Sequence, residues 1–129
     1  MKAFLIANLF IMLIQGCDFN IKREEIKEFI PGTYTRISDH EYGNEHDTII
    51  ISVQNEFRDQ YRIERRWKYA RVLDGQKIKP EYKLFKMTGF YNSRNELLRI
   101  EQTGEILSFN PKKKQMVAGT VTYLKKINQ

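Results

Sequence analysis

Hydrophobic and polar residues alternate with a period of two along most of the chain after Gly32. The alternating segments are rich in Ile, Val, Thr, Tyr and Phe, the residue types that half-buried β-strands favour. We predict strands at Thr33 to Ser38, Asp47 to Gln54, Gln60 to Leu73, Tyr82 to Met87, Gly89 to Tyr91, Glu96 to Gln102, Glu105 to Asn110 and Met116 to Lys126. This region lacks a helical period, so the pattern predicts an all-β domain.

Turn-forming residues separate the predicted strands. They are Tyr42-Gly43-Asn44, Asp74-Gly75, Asn92 to Asn95, Thr103-Gly104 and Asn110-Pro111. Asp74-Gly75 is the strongest of these signals, because the tight turns that join antiparallel strands need positive φ angles. The short connections predict an antiparallel up-and-down meander of about seven or eight strands.

The longest predicted strand has two chemically different faces. One face carries Arg62, Glu64, Arg66 and Lys68, and the other carries Tyr61, Ile63, Trp67 and Tyr69. Side chains alternate across a strand, so we expect the first face in solvent and the second in the interior. An open meander would leave two unpaired edges, so we predict that the sheet curls into a small barrel or half-barrel.

The start of the chain follows a different pattern. Ala3 to Ile14 is apolar apart from Asn8 and follows the charged Lys2, which is the layout of a secretory signal. The apolar run is well short of the ~20 residues of a membrane-spanning helix. The next segment, Asp18 to Ile30, is charged, and we expect a tether and a short helix that ends before Pro31.

The stretch Leu13-Ile14-Gln15-Gly16-Cys17 resembles a bacterial lipobox. The resemblance implies that residues 1–16 are a lipoprotein signal peptide and that Cys17 becomes the lipidated first residue. Its acyl chains, palmitate among them, would anchor the protein to a bacterial membrane in the cell envelope, on the periplasmic side or at the cell surface. Residues 17–30 are then a lipidated tether with a short helix, and residues 31–129 are the β-barrel domain. An ordinary secretory signal with an unmodified thiol is the alternative.

A second resemblance begins where the first strand opens. The stretch Ile30-Pro31-Gly32-Thr33-Tyr34 is similar to the Gly-x-Trp opening of lipocalins and related calycins, with Tyr34 at the tryptophan position. Lipocalins are β-barrels that hold small apolar molecules in a central cup, and many bacterial members are lipoproteins. The resemblance implies a lipocalin-like barrel over residues 26–127. The whole chain is also similar to small lipoproteins of Bacteroidetes-type bacteria, which implies no particular activity.

The inward-facing aromatic residues are candidates for contacts with a ligand. Tyrosine and tryptophan join an apolar ring to a polar tip, which suits an amphipathic molecule. The predicted ligand-binding residues are Tyr34, Tyr61, Arg65, Trp67, Tyr69 and Tyr123. Further candidates for the same surface are Tyr82, Phe85 and Phe109. The alternative is a filled barrel, since small eight-stranded barrels are often just wide enough for their own side chains.

Arg65 is a charged residue that strict alternation places on the inward face. A buried guanidinium needs a carboxylate, an aromatic face or an anionic ligand to offset its desolvation. The lipocalin resemblance implies a stack of Arg65 on Tyr34 or Trp67. The alternatives are an anchor for an acidic headgroup, or a β-bulge that turns Arg65 outward.

The segment from Asp39 to Asp47 holds both histidines, His40 and His46, together with four carboxylates. Imidazole and carboxylate groups can ligate zinc, but their spacing here matches no zinc motif. Nothing marks a serine or the single cysteine as an activated nucleophile. We therefore expect a solvated hairpin loop, no metal or other cofactor, and no catalytic residues.

The formal net charge is +6, and Lys112-Lys113-Lys114 and Lys125-Lys126 are expected as basic tips at one end of the barrel. Such charges favour anionic surfaces, or they serve solubility alone. Export disfavours nucleic acid as a partner. We expect a noncatalytic, lipid-anchored protein that binds a small apolar or amphipathic ligand. The alternative is an accessory module with a filled barrel that docks on an envelope protein through a strand edge or the His40 to Asp47 loop.

Overall fold

A computed structural model of the chain describes residues 25–127. The predicted signal peptide, the lipidation residue Cys17 and the first part of the tether lie outside the described residues. The described part is all-β apart from a helical turn at residues 25–29 and a 3-10 turn at Glu56–Arg58. The strands are β1 (Gly32–His40), β2 (Gly43–Asn55), β3 (Gln60–Leu73), β4 (Gln76–Lys77), β5 (Glu81–Asn92), β6 (Leu97–Ile100), β7 (Ile106–Asn110), β8 (Gln115–Ala118) and β9 (Val121–Lys125).

Eight of the strands form a closed antiparallel barrel. Their order around the barrel is β1, β2, β3, β5, β6, β7, β8 and β9, and β9 returns to pair with β1. The short strand β4 pairs with the end of β3 alone. The fold is therefore the predicted small lipocalin-like up-and-down barrel rather than a half-barrel, and closure removes the two edges that an open meander would expose.

Two of the predicted strand boundaries are wrong. A single strand, β5, replaces the two strands predicted on either side of Thr88. Gly89 does not end this strand: it lies in the barrel wall, where a Cβ atom would come within 2.7 Å of the Ile63 side chain. The last predicted strand is in fact two, β8 and β9, which a turn at Gly119 separates with a φ angle of +63°.

The predicted loop from Asp39 to Asp47 is also wrong. β1 continues to His40 and β2 begins at Gly43, so that only Glu41 and Tyr42 connect the two strands. Gly43 permits a close approach of β2 to the neighbouring strand β3, because a Cβ atom there would approach the carbonyl oxygen of Ala70 to 2.7 Å. Residues from Gly43 onward therefore belong to the alternating pattern of a strand.

The barrel wall has uneven height. The strands β2, β3 and β5 are 13, 14 and 12 residues long, whereas β6 to β9 have only 4 or 5 residues each. β9 pairs with β1 only at Tyr34 and Thr35, and β6 pairs with β5 only at residues 89–92. The far parts of β1, β2, β3 and β5 therefore project beyond the closed ring. We call this projecting end the mouth.

The opposite end is closed by the N-terminal helical turn and forms a plug. Ile30 and Tyr34 are fully buried there, and the Tyr34 hydroxyl lies 2.9 Å from the carbonyl oxygens of both Phe29 and Ile30, to which it donates. Lys125 on the last strand places its Nζ 5.7 Å from the Tyr34 ring centroid. A cation does lie on the first-strand aromatic, but it comes from Lys125 rather than from Arg65.

Side chains occupy the interior between the plug and the mouth. The buried hydrophobic core comprises Ile30, Tyr34, Ile49, Ile51, Tyr61, Ile63, Tyr91, Leu98, Ile100, Leu107, Met116 and Tyr123. The strands β2, β3, β6, β7 and β8 contribute aliphatic residues or methionine, whereas β1, β5 and β9 contribute only tyrosines. Full burial of such a side chain contributes ~1.5–3 kcal/mol, so this core is the main source of stability.

Candidate functional site at the barrel mouth

A buried carboxylate lies at the base of the mouth. Asp47 on β2 is 1% exposed. The Nε of Arg65 donates to Asp47 Oδ1 at 3.0 Å and its Nη2 donates to Oδ2 at 2.6 Å. The hydroxyl of Tyr123 donates to the same Oδ2 at 2.7 Å. These three residues, the mouth network, join β2, β3 and β9 at the top of the core.

The charge state of the mouth network follows from its contacts. The hydrogen bond to Asp47 raises the pKa of Arg65, while partial burial acts in the opposite direction. Burial raises the pKa of Tyr123, and its hydrogen bond to Asp47 adds to the shift. Arg65 therefore stays a cation and Tyr123 stays a neutral donor at physiological pH. Because its side chain is 31% exposed, Arg65 also presents positive charge to the solvent in the mouth.

The inward direction of Arg65 confirms the alternation, but its partner is not the predicted one. The guanidinium pairs with the carboxylate of Asp47 instead of stacking on Tyr34 or Trp67. Sequence reasoning missed this partner because it placed Asp47 at the junction of a solvated loop and the second strand and did not examine which way its side chain points. The alternation of β2 contained the signal that was available. Asp47 lies two residues before the buried Ile49 and four before the buried Ile51, so all three side chains point to the same face of the strand.

An aromatic surface lies above the mouth network on the inward face of the projecting sheet. The rings of Trp67 and Tyr69 are stacked, with centroids 5.4 Å apart and planes at 2°. The Nζ of Lys83 lies 5.2 Å from the Trp67 centroid, and the Arg71 guanidinium lies 5.8 Å from the Tyr69 centroid. Phe85, on the same face of β5, is 42% exposed. We call these five residues the shelf.

The shelf combines two kinds of contact. Two stacked rings offer a flat apolar surface with polar tips, and Trp67 and Tyr69 are both half-buried and therefore reachable from solvent. Lys83 and Arg71 border the rings, and cations over aromatic faces are held there by the ring quadrupole. An amphipathic molecule with an acidic head would find an apolar and a cationic surface side by side.

The structure divides the six predicted ligand-binding residues among three places. Tyr34 and Tyr61 are 0% and 2% exposed, and both lie in the core. Arg65 and Tyr123 form the mouth network with Asp47, and Trp67 and Tyr69 belong to the shelf. Of the six, Arg65, Trp67 and Tyr69 are accessible to a ligand, whereas Tyr34, Tyr61 and Tyr123 are buried.

The three further candidates also separate. Phe85 lies on the shelf, as the prediction requires. Tyr82 is 71% exposed on the outer face, so its inward assignment is wrong. Phe109 packs against Phe29 and Tyr34 at the plug, with centroid distances of 6.4 and 5.9 Å.

The two histidines lie in paired strands and not in a loop. His40 pairs with Gly43 at the end of β1, and His46 pairs with Ile37 inside β2. Among residues 25–127, no group of three or more His, Cys, Asp or Glu side chains is arranged to hold a metal ion. Within the same range, no helix has the length and hydrophobicity that a membrane span requires.

Comparisons with known proteins return no match: no family model, no curated protein and no solved structure is similar to the chain.

Proposed function

We propose that the protein is a noncatalytic, lipid-anchored lipoprotein of the cell envelope that binds an amphipathic ligand at the barrel mouth. The observation that carries this proposal is the stacked pair Trp67 and Tyr69 with Lys83 and Arg71 at its borders. An apolar tail or ring would lie on the aromatic pair. An acidic head would face Lys83, Arg71 and the exposed part of Arg65.

The filled core restricts where such a ligand can lie. Tyr34 and Tyr61, which the sequence placed among the ligand contacts, are packed into the interior below the mouth network. The ligand would therefore rest on the shelf, with one side open to solvent. Binding of this kind suits reversible capture of a lipid-like or aromatic molecule rather than long-term enclosure.

The position of the anchor supports an outward-facing mouth. The helical turn at residues 25–29 lies at the plug, opposite the mouth, so the chain that leads back to Cys17 enters the barrel at the plug. Acyl chains on Cys17 would then keep the plug near the membrane. The mouth would point toward the periplasm or the outside of the cell, where a soluble ligand could reach it.

Native mass spectrometry of the exported domain, residues 18–129, tests the proposal. We expect an added mass of a few hundred daltons, on the order of one small ligand, or recovery of such a mass after incubation with acidic lipids and fatty acids. Trp67→Leu should abolish this mass because it removes half of the aromatic stack. Phe57→Leu is the matched control, since Phe57 is 99% exposed at the plug end and should not affect binding. An unliganded mass together with no binding across the lipid panel would refute the proposal.

A second candidate function is an envelope interaction module. The filled core favours it, because a packed barrel can bind only through its outside and its rims. In this case the shelf would receive a side chain or a helix of a protein partner. Chemical cross-linking from a lysine-reactive group near Lys83 in intact cells, with identification of the linked protein, distinguishes this candidate from small-molecule binding.

A further inference from the structure

Within residues 25–127, about half of β5 is paired on one side alone. β3 pairs with β5 from Glu81 to Phe90, whereas β6 pairs only with residues 89–92. No strand within residues 25–127 lies on the second side of residues 82–87. We call residues 82–87 the β5 edge.

The backbone direction along the β5 edge follows from Thr88. The backbone N–H of Glu101 donates to the carbonyl oxygen of Thr88 at 2.8 Å, and the Thr88 N–H donates to Gln102 Oε1 at 2.9 Å. Both backbone groups of Thr88 therefore point away from β3. In an antiparallel ladder, alternate residues point the same way, so Tyr82, Leu84 and Lys86 direct their N–H and C=O groups outward. Such a row of backbone groups is a template for an added strand.

Apolar side chains flank the β5 edge on both faces of the sheet. Tyr82 and Leu84 are 71% and 56% exposed on the outer face, and Phe85 is 42% exposed on the shelf side. A groove of about 530 Å³ runs beside Tyr82 and Leu84, and its lining includes Arg66 and Lys68 as well as the shelf residues Trp67 and Lys83. An added strand could therefore place apolar side chains on both faces.

The positive charge around the β5 edge favours an acidic binding partner. Residues 77–86 contain Lys77, Lys79, Lys83 and Lys86 but only one acidic residue, Glu81. Arg66 and Lys68 on the neighbouring strand lie opposite Leu84 and Tyr82. A second copy of this chain would bring the lysines of two edges together, which is unfavourable. An acidic segment would be attracted and correctly oriented.

We infer that the β5 edge binds an extended acidic segment of an envelope protein, with apolar residues at alternate positions, as an added strand. Backbone hydrogen bonds to Leu84 and Lys86 supply most of the affinity, and the lysines supply the preference for acidic partners. The backbone groups that would bind the added strand belong to the outer edge of β5 and are not part of the aromatic stack of the shelf.

Fluorescence anisotropy with the full mature chain in mild detergent tests the inference. The probe is a labelled octapeptide that alternates Glu and Val, and its comparison peptide alternates Lys and Val. We expect saturable binding of the Glu-Val probe and at least about tenfold weaker binding of the Lys-Val peptide. Hydrogen exchange should slow at the amides of Leu84 and Lys86 when the Glu-Val probe binds.

Two variants separate the backbone and charge contributions. Leu84→Pro removes an outward N–H that the barrel does not use, so the fold should persist while probe binding falls about tenfold or more. Leu84→Thr is the matched control, because it keeps the N–H and should bind within about threefold of the wild type. The double variant K68E/K86E, in which both residues lie on the outer face with Tyr82 and Leu84, leaves the backbone intact. It should reverse the peptide preference even if the proline variant fails to fold.

Three outcomes would overturn the inference. The first is unchanged probe binding by folded Leu84→Pro, and the second is equal binding, or no binding, of both peptides. The third is concentration-dependent dimerisation of the wild type that Leu84→Pro abolishes, which would make a second copy the occupant. Tyr69→Leu disrupts the aromatic stack but lies outside the groove, so it should not change peptide binding. A failure of ligand capture at the shelf is therefore distinguishable from a failure here.

Discussion

Arg65→Met should destabilise the barrel more than Asp47→Asn, although the two changes break the same ion pair. Asp47 is 1% exposed, whereas the Arg65 side chain is 31% exposed. Loss of Arg65 leaves a buried carboxylate with Tyr123 as its remaining partner, and an uncompensated buried charge costs ~3–5 kcal/mol. Loss of the Asp47 charge leaves a guanidinium that can turn toward water in the mouth, and we expect a cost of ~1–3 kcal/mol.

Urea unfolding followed by far-ultraviolet circular dichroism measures both changes. A domain of this size has a total free energy of unfolding of ~5–15 kcal/mol, so Arg65→Met should shift the midpoint strongly. The surface variant Arg66→Met is the matched control, because the Arg66 side chain in its ion pair with Glu64 is 63% exposed and should contribute ~1 kcal/mol or less. The double variant D47L/R65M should recover much of the loss, since an apolar replacement leaves neither charge buried.

The prediction depends on which of the two single variants is less stable. If Arg65→Met lowered the free energy of unfolding no more than Asp47→Asn, the buried carboxylate of Asp47 would not need the guanidinium to offset its desolvation, and that result would refute the prediction. If the double variant were as unstable as the sum of the single variants, the two residues would not be coupled, and the mouth network would not be a unit.

Three further predictions concern the core and the turn at the mouth. Tyr123→Phe should cost ~1.5–3 kcal/mol in urea unfolding, because it removes a hydrogen bond to a charged group, and a cost near zero would contradict that bond. Gly43→Ala should cost ~1–3 kcal/mol by the same measurement, since its Cβ would meet the Ala70 carbonyl oxygen at 2.7 Å, and an unchanged midpoint would contradict the close approach. Burial raises the pKa of four tyrosines above the ordinary value of 10.0: Tyr34, Tyr61, Tyr91 and Tyr123. The folded state keeps these protons at a pH where the unfolded chain loses them, so these tyrosines lower the stability as the pH rises above 10.0. Tyrosinate absorbance and circular dichroism should therefore change together in an alkaline titration, and ionisation of all four groups before unfolding would contradict their burial.

Most of the wall could be predicted from the sequence because strand formation depends on near neighbours. The alternation in β3 placed Tyr61, Ile63 and Arg65 inward, and the structure confirms each of them. The turn at Asp74-Gly75 also forms, with positive φ at both residues. Patterns of this kind reflect which side of a strand meets water.

The errors arose where a local signal had two physical meanings. Glycine ends a strand when it supplies a turn, as Gly119 does with a φ angle of +63°, but it also permits close packing inside a strand, as at Gly89. Polar residues mark loops, but Asp47 is polar and lies in the interior because Arg65 and Tyr123 satisfy it. Neither the role of such a glycine nor the burial of such an aspartate can be predicted without knowing which residues of the neighbouring strands lie opposite them.

The sequence by itself determined that the domain is all-β, which side chains of its longest strand face inward, and that its leader resembles that of a lipoprotein. Only the tertiary structure decided that the sheet closes, that β5 keeps a free edge, and that Asp47 meets Arg65 and Tyr123 across separations of 18 and 76 residues. The physical reason is that strand polarity is set by neighbouring residues, whereas closure and partner choice depend on strand length and register around the whole barrel.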